Sequence, residues 1–137
     1  MSSTAASFAA LFAALYAAHA VADHWIQTQH QSDRKGRPGW TGRLACAAHV
    51  ATYTATALAA VLVVAWRCDI DLHPGRLTLA LAVSAVTHYI ADRRTPLRRM
   101  ADALGKNPDW LTKGGGLYAL DQSWHIGWLA VAALIAA

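Results

Sequence analysis

AASFAALFAALYAAHAVADHWIQ, Ala5 to Gln27, is the stretch on which the fold turns. Its first fourteen residues are Ala, Leu, Phe, Tyr and a single Ser; then a histidine and an aspartate appear four residues apart, His19 and Asp23. Such a run suits either the buried helix of a soluble protein or a helix in lipid. In lipid, each ionisable group at mid-depth costs about 2.5 to 3.5 kcal/mol on insertion scales and usually marks function.

The remainder of the chain favours lipid. Of 137 residues, 55% are hydrophobic and only 15% charged. Lys and Arg are missing from four blocks, residues 4–30, 44–66, 77–92 and 117–137. Each is near the roughly 20 residues that cross a hydrocarbon core about 30 Å thick. A soluble bundle would turn polar faces outward at helical period, whereas ATALAAVLVVA, Ala55 to Ala65, offers one threonine. The expectation is an all-α integral membrane four-helix bundle, a single transmembrane domain over residues 1–137, with helices at about 4–28, 43–66, 74–93 and 117–137. A cleavable secretory signal would open with basic residues; none precedes the first run, which is therefore read as a retained helix. Cys46 and Cys68 fall near opposite ends of the second helix, about 33 Å apart by helical rise, and cannot pair.

Basic residues are shared unequally among the connections. Arg34, Lys35, Arg37 and Arg43 lie between helices 1 and 2; Arg93, Arg94, Arg98, Arg99, Lys106 and Lys113 lie between helices 3 and 4; the middle connection has only Arg67 and Arg76. The positive-inside rule places the first and third connections in the cytoplasm and both termini outside. Pro74 suits a first helical turn, and Thr95-Pro96 ends helix 3. Leu97, Met100, Ala101 and Leu104 then recur at i, i+3, i+4, i+7, which predicts a short cytoplasmic interfacial helix stopped by Gly105. Trp25, Trp40, Trp66 and Trp110 fall near expected interfaces, where an indole anchors a helix.

Within this topology the polar residues gather. His19 and Asp23 in helix 1, His88 and Asp92 in helix 3, and Asp121 and His125 in helix 4 each share a helix face at i, i+4. Helix 2 adds His49, with Tyr53 one turn on. All seven His and Asp fall toward the cytoplasmic ends of their helices. Buried together, three carboxylates without a cation would need protonation or nearby Arg. Four imidazoles and three carboxylates form an N/O donor set of the kind that takes one or two divalent ions, Zn, Mn, Fe or Co. The chain has no Glu, so the HExxH and ExxH motifs are absent. Gln27 and Gln122 are placed to hydrogen-bond ligands from behind, while His24, His30 and His73 are read as surface groups. Arg93 and Lys113 are the candidates for holding an anionic substrate group, with Gly114 to Gly116 as a flexible loop over the mouth.

In order, H-x3-D-x3-Q (His19, Asp23, Gln27), the helix 2 histidine (His49), H-x3-D followed by basic residues (His88, Asp92, Arg93) and D-Q-x2-H (Asp121, Gln122, His125) resemble the small bacterial membrane proteins grouped as domain of unknown function 3307. More loosely, the pattern is similar to membrane-bound metal-dependent hydrolases. The resemblance runs from the first helix to the last and implies a multi-pass protein of the bacterial inner membrane, without assigning a reaction.

The functional expectation is a metal-dependent hydrolase acting at the cytoplasmic face on a phosphoester or other ester of an amphipathic or anionic small substrate. Its ions would sit on His19, Asp23, His49, His88, Asp92, Asp121 and His125, with an Asp bridging two of them, and its catalytic groups would be Asp92, Asp121 and Arg93. The rival readings are a proton- or metal-coupled transporter, a bis-histidine haem protein and a noncatalytic membrane partner with a structural metal site. The expected partner is the lipid bilayer; no nucleic acid is expected, and Ala-rich helix faces also allow a second copy of the chain to pack.

Overall fold

The fold comes from a computed structural model that describes residues 3–137, and among these residues every regular element is helical. Ser3 caps α1 (Thr4–Val21), accepting a hydrogen bond from the Ala6 amide, and α1 buries Ser7, Leu11, Ala14, Leu15, Ala18 and His19 along one stripe. From Ala22 the helix widens into a π-helical turn, Ala22–Ile26, closed by the Gln27 amide on the Ala22 carbonyl at 2.8 Å. Gln27 then breaks the helix with an extended ψ. The first helix thus ends at Ile26 rather than near residue 28.

Thr28 begins a new helix, α2 (Gln29–Arg34), through a capping box. Its hydroxyl accepts from the Gln31 amide, and the Gln31 side chain accepts from the Thr28 amide at 2.9 Å. Pro38 precedes α3 (Gly39–Arg67), which starts one turn earlier than expected. Its buried face advances almost strictly by four residues, Ala45, His49, Tyr53, Ala57, Val61, Ala65. Gly42 lies so close to the returning chain that a Cβ there would meet the Arg37 carbonyl oxygen at 2.0 Å.

Pro74 opens α4 (Pro74–Asp92), which buries Ala80, Ser84, Thr87, His88, Ala91 and Asp92. The chain reverses at Arg93 and Arg94, the latter at φ +59°, and resumes as α5 (Thr95–Ala103), with Leu97 and Ala101 inward. Pro96 is tolerated in the first turn because its missing N–H has no helical partner there. A one-turn α6 (Pro108–Thr112), capped by Asn107, leads into α7 (Gly116–Ala136).

α1 packs on α3 and α7, and α4 packs on the same two helices. Small residues line these contacts, which lets the backbones approach. Away from the α2, α5 and α6 end, the interior is mostly apolar, with Ser7 and Ser84 as buried hydroxyls: Leu11, Leu15, Ala57, Val61, Ala80, Leu129 and Ala133 belong to one buried cluster. Two of the long helices, Thr4–Ile26 and Gly39–Arg67, are long and apolar enough to cross a membrane, each with mean hydropathy 1.7. α4 and α7 have 19 and 21 residues but give several positions to Ser, Thr, Gln, His and Asp.

Candidate metal centre

The π-helical turn of α1, the first half of α3, the last turns of α4 and the first turns of α7 meet at one level, just inside the end where α2, α5 and α6 lie. All seven His and Asp singled out in the sequence come together there. His49 Nε2 and His88 Nε2 are 3.0 Å apart. Asp23 Oδ1 stands 3.3 Å from the first and 3.6 Å from the second; Asp92 Oδ2 stands 3.3 and 3.2 Å from them. Yet neither oxygen has hydrogen-bond geometry to any partner, and both are buried.

Two carboxylate oxygens, which only accept, therefore face two imidazole nitrogens that share a single hydrogen bond between themselves. The five separations, 3.0 to 3.6 Å, match the edges of a ligand tetrahedron, which for ligands at 2.0 to 2.1 Å from a central ion are about 3.3 to 3.4 Å. Lone pairs converging at this distance repel unless protons or a cation lie between them.

The other three residues adjoin this group. The His125 ring stacks on His19 at 4.7 Å between centroids and lies 4.4 Å from His88. His125 Nδ1 is 2.8 Å from the Asp121 carbonyl oxygen, so it is the donor of the ring and Nε2 keeps its lone pair. That Nε2, like both nitrogens of His19, is buried without a hydrogen-bond partner. Asp92, Asp121 and His125 offer ligand atoms within 4.8 Å of one another, as do His19, Asp23 and His88. Gln122 donates to Asp121 Oδ2 at 3.3 Å.

Tyr53 floors the site. Its ring stacks on His88 at 4.0 Å, and its hydroxyl shares a 2.5 Å hydrogen bond with Ser84.

Toward α2 the site opens into a cavity of about 330 Å³, lined among others by Asp23, Gln27, Lys35, Asp92, Arg94, Tyr118 and Asp121. Arg93 and Lys113 do not border it. Arg93 instead donates to the carbonyl oxygens of Lys35 and Arg37, and Lys113 pairs at the surface with Asp109, 2.9 Å away. The glycine run does not form a free flap either: a Cβ at Gly116 would meet the Trp110 ring at 2.4 Å, so this glycine serves close packing.

His24, expected at the surface, is exposed but also borders the cavity. The residue that the sequence left among topology signals is Lys35, which is 8% exposed with its ammonium 2.7 Å from Asp92 Oδ1. The Thr28-Gln-His-Gln31 capping box was the local sign that the chain turns back over the site.

Residues 11–137 match the family described as "Protein of unknown function (DUF3307)". The chain belongs to the DUF3307 family. No curated protein and no solved structure matches it. The looser similarity to metal-dependent hydrolases has no counterpart in these comparisons, so for this DUF3307 chain any reaction is argued from the site alone.

Proposed function

We propose that this DUF3307 chain is a hydrolase embedded in the bacterial inner membrane that uses one or two divalent ions, Zn, Mn, Fe or Co, to cleave a phosphoester or other ester of an amphipathic substrate at the cytoplasmic face. The observation that carries the reading is the convergence of Asp23 Oδ1, His49 Nε2, His88 Nε2 and Asp92 Oδ2 at 3.0 to 3.6 Å, in which the two imidazoles share one hydrogen bond and neither buried carboxylate oxygen has any.

In this reading the four long helices form a transmembrane bundle with both ends of the chain outside. Trp25 and Trp40 are 85% and 74% exposed at one end, and Trp66 is 78% exposed at the other. Arg43 stacks on Trp40 and Arg67 on Trp66, as amphipathic pairs do at a headgroup boundary. The basic α2 and α5 connections then face the cytoplasm, and the cavity opens there.

Asp23, His49, His88 and Asp92 hold one ion. Asp92, Asp121 and His125 would hold a second, and His19 adds a nitrogen on the side of Asp23 and His88. A divalent ion bound in such a set supplies Lewis acidity and lowers the pKa of a bound water to about 7. Asp121 borders both the ligand set and the cavity and has one oxygen beyond the Gln122 contact, so it would orient an entering water and accept its proton. Asp92, with one oxygen toward the imidazoles and the other on Lys35, would help hold the ions. The site has no need of a Ser or Cys nucleophile.

The test is metal analysis of detergent-purified protein together with a phosphoester panel. At least about one equivalent of tightly held ion is expected, lost in His49→Ala and Asp92→Ala, with hydrolysis abolished by chelation and restored by the ion. Less than one equivalent, unchanged by either substitution, would end the reading.

A further inference from the structure

Asp92 is shared between two neighbours. Its Oδ2 faces His49 and His88, while its Oδ1 meets the Lys35 ammonium at 2.7 Å. A lysine needed only to neutralise Asp92 could sit anywhere around that carboxylate. This one stands in the wall of the open cavity, among further donors, Gln27, Ser32, Arg94 and Gln122.

Its position is also over-determined. The capping box of Thr28 and Gln31 fixes the start of α2, the helix that Lys35 ends. Arg93, reaching from the end of α4, donates one guanidinium nitrogen to the Lys35 carbonyl and another to that of Arg37. Gly36 lies against the Arg94 side chain, where a Cβ would come within 2.9 Å. A charge that served only to orient the protein in the membrane would require none of this.

We infer that the cavity binds the phosphoryl group of the substrate, with Lys35 gripping it beside the metal centre, Arg94 adding charge at the rim and Arg93 acting as a positioning residue for the Lys35–Arg37 segment. The inference rests on the metal reading above, since ions on Asp23, Asp92 and Asp121 offset the carboxylates that border the same cavity. Two side-chain cations with amide and hydroxyl donors on several sides suit a dianionic tetrahedral group; a neutral carboxylic ester would make no use of either charge. The phosphoryl group can belong to a soluble phosphomonoester or to a lipid headgroup.

The test measures binding of inorganic phosphate to the metal-loaded protein in nanodiscs, with ion content read on the same samples. Lys35→Met should keep its ion and raise the phosphate Kd roughly 10- to 100-fold, the loss of one charge-assisted hydrogen bond. Lys35→Gln, which keeps a donor toward Asp92, should lose as much, and Lys35→Arg should stay within about threefold of the parent. Should Lys35→Met fail to accumulate, the Gln and Arg variants decide. Displacement of bound phosphate by glycerol phosphate from the aqueous phase marks a soluble source, and displacement only by phosphatidate in the disc marks a lipid. Either supports the inference, and displacement by neither overturns it. An uncharged variant that keeps its ion and binds phosphate within twofold of the parent also overturns it, as does a metal-loaded parent that ignores 10 mM phosphate; both leave the metal centre standing. A parent that holds no ion removes the underlying reading instead.

Discussion

Replacing Asp23 by Asn separates a metal centre from a polar network that satisfies itself. Asp23 Oδ1 and Asp92 Oδ2 each lie 3.3 Å from His49 Nε2, so the two oxygens are at most about 6.6 Å apart. At an effective dielectric of 20, two negative charges at that separation repel by about 2.5 kcal/mol or more. Without a metal ion, at pH 8 where an ordinary imidazole is neutral, Lys35 beside Asp92 offsets part of this repulsion, and Asp23→Asn removes what is left, so the variant should be at least as stable as the parent. With the ion bound the sign reverses. Structural zinc sites of four ligands bind with about 10 to 16 kcal/mol, so one ligand is worth roughly 2.5 to 4 kcal/mol, a 10²- to 10³-fold loss of affinity. At an ion concentration 100 times the parent's Kd, binding adds about 2.7 kcal/mol to the parent and at most about 0.4 kcal/mol to the variant. Thermal unfolding in detergent, with a chelator and then with excess ion, reads both signs; the ion should raise the parent's Tm by about 10 °C. Were the cluster held by His/Asp ion pairs alone, Asp23→Asn would break a buried pair and cost about 3 to 5 kcal/mol in both conditions. Equal destabilisation with and without ion therefore refutes the metal reading.

Gly42→Ala should lower stability by about 3 kcal/mol or prevent accumulation, because the new Cβ meets the Arg37 carbonyl oxygen at 2.0 Å. Gly127→Ala, within α7 and with nothing near its Cβ position, should instead stabilise by about 0.5 to 1 kcal/mol; unfolding midpoints in the same detergent check both. Tyr53→Phe removes the hydroxyl bonded to Ser84 and should cost about 0.5 to 1.5 kcal/mol, with ion content unchanged by metal analysis. Cys68 is exposed and Cys46 buried, so a membrane-impermeant maleimide added to spheroplasts should label Cys68 and spare Cys46. Labelling of Cys68 only after lysis would invert the proposed orientation.

What the sequence disclosed follows from what is local. The i, i+4 spacing of His19/Asp23, His88/Asp92 and Asp121/His125 is a property of one helix, so it is visible without knowing the partners. Their common level followed from counting residues to the nearest basic connection, and the structure brings the seven side chains together. Lys35 could not be found this way. Its neighbours in sequence are charged and polar, and its burial depends on α2 folding back over helix ends that lie more than fifty residues later, where Arg93 holds it. Arg93 itself was legible as a basic residue at the mouth, but whether a guanidinium meets a ligand or a carbonyl oxygen is decided by the returning chain. The π-helical turn at Ala22–Ile26 was not legible, because Asp23 and His24 interrupt the apolar run in the same way whether the turn is α or π.

The division of the interior bears on enzyme against conduit. A pathway for protons or ions needs polar groups through the whole membrane depth. Here the titratable groups occupy one end, and beyond Tyr53 the space between the long helices is filled by Leu11, Leu15, Ala57, Val61, Leu129 and Ala133, all nearly inaccessible to solvent. Ser84 is the next polar group down α4, and its hydroxyl is already engaged by Tyr53. Under the proposed function, substrate would enter and product leave through the cavity on the side of α2. Opening a route through it would require the Leu and Ala layer to separate, at the loss of about 25 cal/mol for each Å² of apolar surface exposed to water. If the proposed function holds, reconstituted protein should show no flux of divalent ions, and measurable flux that His49→Ala abolishes would favour transport over hydrolysis as the use of the same seven residues.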